Sequence, residues 1–159
     1  MKERHLKFRL AQLKVLADAS YCPRGQVAAM LIDPERNTVL ADGYNGPPRG
    51  PDALCGGSVC ERDARGIVSG THMEIGCHHA EMNVICNAAA SGTNTKGAWI
   101  LTNVLPCLMC AKLIHHAGIT KVITIANSYR GGEAGIQYLE HVNVPVQQVE
   151  YTNEGFSSL

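Results

Sequence analysis

The sequence predicts an α/β fold on a five-stranded mixed sheet, and three observations predict it. Helical and strand patterns alternate through the second half of the chain, which implies parallel strands joined by crossover helices. Two strand patterns near the start are separated only by a turn, so they pair antiparallel and make the sheet mixed. A chain of 159 residues buries a sizeable core and is too short for two ordinary domains. We therefore expect one domain over residues 1–159.

Leu6, Leu10, Leu13 and Leu16 or Ala17 recur at helical spacing, predicting an amphipathic helix over residues 4–19. Val27–Ile32 and Thr38–Ala41 read as strands about the turn Asp33-Pro34-Glu35-Arg36-Asn37. Residues 46–78 mix Gly, Pro, Cys and charge without periodicity. Such an insert is too long for an idle loop and asks for an anchor. A helix follows over 81–90, then a strand over 98–102 and a helix after Pro106 that Gly118 can end. A strand over 121–126, a helix at about 133–141 and a strand over 144–149 complete the pattern, and 153–159 read as a tail.

Two short motifs carry the chemistry, and each opens a predicted helix. His79-Ala80-Glu81 supplies an imidazole and a carboxylate; Pro106-Cys107-Leu108-Met109-Cys110 supplies two thiols three residues apart, on one helix face. His79, Cys107 and Cys110 make the ligand set of a catalytic zinc site with one position open to water, leaving Glu81 as a general acid and base. Thiols in a first helical turn feel the positive end of the helix dipole, which favours the thiolate that zinc needs. Proline is tolerated there because the N–H it lacks would be unpaired anyway. The two-residue spacing of His79 and Glu81 would point them to different sides of a regular helix. It is the paired H-x-E…P-C-x-x-C signature of zinc-dependent nucleobase deaminases that puts both at the metal.

Beyond these motifs, the chain resembles the deoxycytidylate (dCMP) deaminases of the cytidine deaminase superfamily over roughly residues 5–150. The likeness rests on Tyr21-Cys22-Pro23-Arg24-Gly25-Gln26-Val27 and on Asp42-Gly43-Tyr44-Asn45-Gly46-Pro47-Pro48-Arg49-Gly50. It continues through Gly118-Ile119-Thr120-Lys121-Val122 and Gly135-Ile136-Gln137-Tyr138-Leu139. Two positions depart from the family pattern: Asn103 stands where Thr is usual, and Ala28 where Gly is frequent. The resemblance implies a cytidine-deaminase-like three-layer α/β/α fold and hydrolysis of dCMP to dUMP and ammonia, feeding thymidylate synthesis. In that reaction Glu81 takes a proton from an activated water, delivers it to ring N3, and later protonates the amine leaving C4.

The resemblance also implies that Asn45 and Ala80 contact the nucleoside, that Arg24 contacts the phosphate, and that Tyr129 closes over the site. It implies a homo-hexamer activated by dCTP with Mg²⁺ and inhibited by dTTP, through an allosteric nucleotide site of Tyr44, Asn45, Gly46, Arg49 and Gly50. The cysteines and histidines in and beside the insert suggest a second, structural zinc as its anchor. By position the resemblance picks Cys22, Cys55, His72 and Cys77, with Cys60 in reserve. Cys86, mid-helix among apolar residues, reads as a small core residue.

Composition trims the alternatives. Fourteen basic and fourteen acidic residues balance, so no general field draws the chain to nucleic acid or membrane. Aromatics at 5% are too few for a stacking surface, which favours a free mononucleotide over DNA or RNA. No apolar run spans a bilayer. The charged N-terminus lacks a signal-peptide stretch, so the seven cysteines are better explained by metal ligation in a reducing, cytoplasmic compartment than by disulfides. Two other readings remain. One is a deaminase of another base or nucleotide, such as 5-substituted dCMP, dCTP or a pterin or riboflavin precursor. The other is a zinc-stabilised nucleotide-binding protein without turnover, which would have no need of Glu81.

Overall fold

A computed structural model describes residues 1–47, 59–68, 71, 75–125, 132–152 and 155–158. Helix α1 (Glu3–Ala17) leads into the hairpin β1 (Ala28–Asp33) and β2 (Thr38–Tyr44), and a one-turn helix α2 (Glu61–Ala64) lies in the insert. Then follow α3 (Ala80–Ala90), β3 (Trp99–Thr102), α4 (Leu108–His116), β4 (Lys121–Ile125), α5 (Gly132–His141), β5 (Val146–Thr152) and β6 (Gly155–Ser158).

The sheet runs β2-β1-β3-β4-β5-β6. β1 pairs antiparallel with β2 and with β3, whereas β3, β4 and β5 run parallel, as the crossover helices require. The five expected strands are all present. The tail differs from expectation: Gly155–Ser158 forms a sixth strand, pairing antiparallel with β5 through Thr152↔Gly155 and Val149↔Ser158. The Asn153-Glu154 connection lacks the Asn-Gly or Asp-Gly turn signal, and Gly-Phe-Ser-Ser is a weak strand former, so nothing local announced it. The short helix α2 was also not expected; Glu61 and Arg65 pair across its single turn at 2.5 Å.

Alternation along the strands sorts the core into two layers. Ala29, Leu31, Ile100 and Val122 face α3, α4 and α5, packing against Ala80, Val84, Ala111, Ile114 and Leu139. Met30, Ile32, Leu101 and Ile123 face the other way, against Leu10 and Leu13 of α1. On α3 the buried residues Ala80, Val84 and Ala88 recur every four positions. That stripe turns Cys86 outward, and it is exposed, contrary to its expected place in the core.

Two close approaches set the helices that carry the site. A Cβ on Gly43 would lie 2.8 Å from the Val84 nitrogen, so only glycine lets α3 rest directly on β2. Asn83 and Asn87 then donate to the Tyr44 and Asp42 carbonyls at 2.8 and 2.9 Å, tying α3 along that edge strand. A Cβ on Gly135 would lie 2.0 Å from the Pro106 carbonyl oxygen, so α5 sits directly on the segment that opens α4. As expected, Gly118 ends α4. Its φ of +70° and the bonds Gly118 N–H to His115 O and Ile119 N–H to Ile114 O close the last turn at 3.0 and 3.3 Å.

Candidate metal centre and active site

Two helix beginnings converge on the site. His79 is the N-cap residue of α3 and Cys107 that of α4, with extended backbones of φ −71°, ψ 151° and φ −68°, ψ 167°. Pro106 therefore precedes the cap, and Cys107 stands one step outside the first turn expected to contain it. An N-cap side chain is released from helical periodicity and turns back over the first turn. His79 can thus share a side with Glu81 despite their spacing, and Cys107 faces Cys110, the third helical residue.

His79 Nδ1 lies 3.5 Å from the sulfur of Cys107 and 3.5 Å from that of Cys110, and the three donor atoms all fall within 4.8 Å of one another. A tetrahedral zinc with Zn–N about 2.05 Å and Zn–S about 2.3 Å separates such donors by about 3.6 Å. The trio fits zinc in number, type and spacing, and leaves one corner of the tetrahedron open. Two thiolates and a neutral imidazole also balance the charge of a divalent ion in a buried place.

The electrostatics follow from crowding. The Cys107 thiol is pulled down to about 4, chiefly by a hydrogen bond from Cys110, with His79 and the Cys110 amide adding to it against burial. Cys110 is pushed up in return by Cys107 and by burial. The Cys107 sulfur also raises His79. Glu81 is only 3% exposed. Burial lifts its carboxyl above the ordinary range, opposed chiefly by the charge of His79.

A cavity of about 410 Å³ opens on these groups, lined at its base by His79, Ala80, Glu81 and Cys107. That is the size of a site for one small molecule. Asn45 lines it too, held by Ser20 Oγ and Val27 N–H donating to its Oδ1 at 2.6 and 2.8 Å, while its Nδ2 donates to the Gly25 carbonyl at 2.9 Å. Arg24 reaches the cavity and pairs with Asp63 at 3.3 Å. Gly46 exchanges backbone hydrogen bonds with His78, at 3.3 and 2.9 Å, beside the metal ligand. Tyr44 is exposed and is not among the cavity's residues.

Cys22 and Cys77 line this same cavity. Among the described residues, however, His79, Cys107 and Cys110 form the sole group of three close metal donors. Cys55 and His72 of the expected structural zinc site, Tyr129, and Arg49 and Gly50 of the expected allosteric loop lie outside the described residues. Three further residues stand on the cavity wall: Cys60, only a reserve ligand in the sequence reading, Arg62, to which the sequence gives no role, and Asn103, noted only as a departure from the family pattern. Asn103 accepts from the Ala28 N–H and donates to the Gln26 carbonyl, both at 2.9 Å, bracing the end of β3 against the start of β1. Its unusual identity was the signal. Arg62 had none, lying in an aperiodic insert.

A profile of the cytidine and deoxycytidylate deaminase zinc-binding region matches residues 2–126. ComE operon protein 2 of Bacillus subtilis is 34% identical over 144 residues, 91% of this chain and 70% of its own. Human deoxycytidylate deaminase is 34% identical over 119 residues, 74% of this chain; the match spans 62% of the human protein. The crystal structure of dCMP deaminase from the cyanophage S-TIM5, in complex with dCMP and dUMP, superposes with a TM-score of 0.77 at 28% identity, covering 93% of this chain and 98% of that one.

Proposed function

Because the chain belongs to the cytidine and deoxycytidylate deaminase family, we propose that it hydrolyses dCMP to dUMP and ammonia, supplying dUMP for thymidylate synthesis. The observation that carries this reading is the His79, Cys107 and Cys110 trio, with His79, Cys107 and the buried Glu81 lining one cavity. When bound by that trio, zinc lowers the pKa of water at its open position to about 7. Glu81 takes the proton of the attacking water and gives it to ring N3, which leaves C4 short of electrons. The same carboxyl then carries a proton to the amine departing from C4. Ala80 and Asn45 hold the nucleoside, Arg24 reaches its phosphate, and Tyr129 completes the enclosure. Asn45 suits this role because its own hydrogen bonds fix its place on the cavity wall.

The finer reading extends to assembly and control. The protein works in the cytoplasm as a homo-hexamer, activated by dCTP with Mg²⁺ and inhibited by dTTP at a loop of Tyr44, Asn45, Gly46, Arg49 and Gly50. The Gly46–His78 backbone bridge supports this, because a ligand moving that loop would act on the strand of chain that carries His79. Cys22, Cys55, His72 and Cys77, with Cys60 in reserve, would hold a second zinc as the anchor of the insert.

Ammonia release from dCMP, CMP, dCTP, deoxycytidine and 5-substituted dCMPs tests the substrate. The expected result is fastest turnover of dCMP; release only from another base or nucleotide would overturn the assignment. Sigmoidal dCMP kinetics that become hyperbolic with dCTP and Mg²⁺ are expected of the control. Rates that ignore both triphosphates would remove that part alone.

A further inference from the structure

The cavity offers two guanidinium groups, and they differ in how far they are already committed. Arg24 pairs through Nε with Asp63 at 3.3 Å and donates through Nη1 to the Ile67 carbonyl at 3.3 Å. Arg62 has one described bond, from Nη2 to the Thr71 carbonyl at 2.9 Å. Its Nε–H is buried and has no partner among the described residues. A buried N–H of a charged group without an acceptor is costly and rare, so it marks a place where a ligand supplies one.

The neighbouring acids do not meet this charge. Glu61 pairs with Arg65 at 2.5 Å and Asp63 with Arg24. Among the described residues no carboxylate forms an ion pair with Arg62, and Glu81 is the one acid of the cavity wall. The stem of Arg62 is also fixed. Gly76 has φ +98°, and a Cβ there would lie 3.2 Å from Arg62 Cγ, so the missing side chain makes the seat on which the stem rests.

We propose that Arg62 recognises the 5′-phosphate of the substrate and thereby makes the cavity select a nucleoside monophosphate over the free nucleoside. The proposal rests on the deaminase reading of the site and changes its phosphate anchor. Arg24, which the family resemblance suggests, already shares its Nε with Asp63 and its Nη1 with the Ile67 carbonyl, whereas the Arg62 Nε–H has no acceptor among the described residues. A guanidinium is the side chain for this task, because its planar fork can donate two parallel bonds to phosphate oxygens.

The test compares binding of dUMP and deoxyuridine, which are not turned over, by calorimetry on the zinc-loaded full chain. Arg62→Met keeps the stem on Gly76 and removes the donors. We expect the native protein to prefer dUMP and Arg62→Met to lower that preference about 10- to 100-fold, the size of a lost charge-assisted hydrogen bond. Arg62→Lys, which keeps a point charge without the fork, should lower it less. If Arg62→Met fails to fold, as judged by circular dichroism and zinc content, Arg62→Lys carries the comparison with an expected loss of about tenfold. A native protein without the preference, or a folded variant that retains it in full, overturns the assignment. Native protein that prefers dUMP but releases no ammonia from any cytosine substrate would refute deamination and leave the role of Arg62 intact.

Discussion

Gly135→Ala places one methyl group where α5 crosses the start of α4. Its carbon would stand 2.0 Å from the Pro106 carbonyl oxygen and 3.0 Å from the Cys107 carbonyl carbon. Ordinary contact begins near 3.4 Å, so helix and segment must part by roughly 1.4 Å, and the obstacle is backbone, which cannot swing aside as a side chain can. Overpacking of this kind costs about 3 kcal/mol at its upper end. Alanine regains about 1 kcal/mol over glycine in a helix interior, leaving a net loss of about 2 kcal/mol. For a chain of this size that lowers Tm by about 4–8 °C. The same displacement moves Cys107, and a misplacement near 1 Å at a reacting site can cost about 10²-fold in rate. Calorimetry should show the fall in Tm, a chelator competition the weakened zinc affinity, and ammonia release the lost turnover. An unchanged Tm with native zinc affinity would refute the idea that this contact sets Cys107.

Other substitutions read other parts of the site. Glu81→Gln keeps shape and removes the proton carrier, so turnover should fall about 10²–10⁴-fold while elemental analysis finds the zinc retained; substantial activity would contradict the proton-shuttle role. Asn45→Ala leaves Val27 N–H and the Gly25 carbonyl without their partner, while Ser20 Oγ keeps the Asn45 backbone carbonyl at 2.8 Å. At about 1 kcal/mol each this should lower stability by about 2 kcal/mol, measured by urea unfolding; a change below about 0.5 kcal/mol would show that the network is dispensable. The proposed insert anchor predicts two zinc ions per chain, falling to one in Cys55→Ser with loss of stability. One zinc in both proteins would exclude it.

Much of this architecture was legible because its signals are local. The period-two strands, the leucine spacing of α1 and Gly118 at the close of α4 report their own conformations, and the structure has elements at all of them. The metal trio was legible because residue types and order limit the chemistry. What made the spacing of His79 and Glu81 ambiguous was the assumption that both lie inside a helix; as an N-cap, His79 escapes that periodicity. The sixth strand, the outward turn of Cys86 and the place of Arg62 were hidden for another reason. Each depends on a partner distant in sequence: β5 for the strand, β1 and β2 beneath α3, and Gly76 beneath the arginine stem.

That sixth strand determines what the sheet presents at the edge opposite β2. β5 spans Val146–Thr152, and on the side away from β4 its last four residues are matched by Gly155–Ser158. On this side the outermost strand is therefore only four residues long, and a short border gives an incoming extended chain little to add to. A chain cut before Gly155 would replace it with a seven-residue border whose amide and carbonyl groups stand open in a row. Such a row templates strand addition, so shortening the protein by these few residues would be felt first as self-association at high concentration, ahead of any loss at the metal.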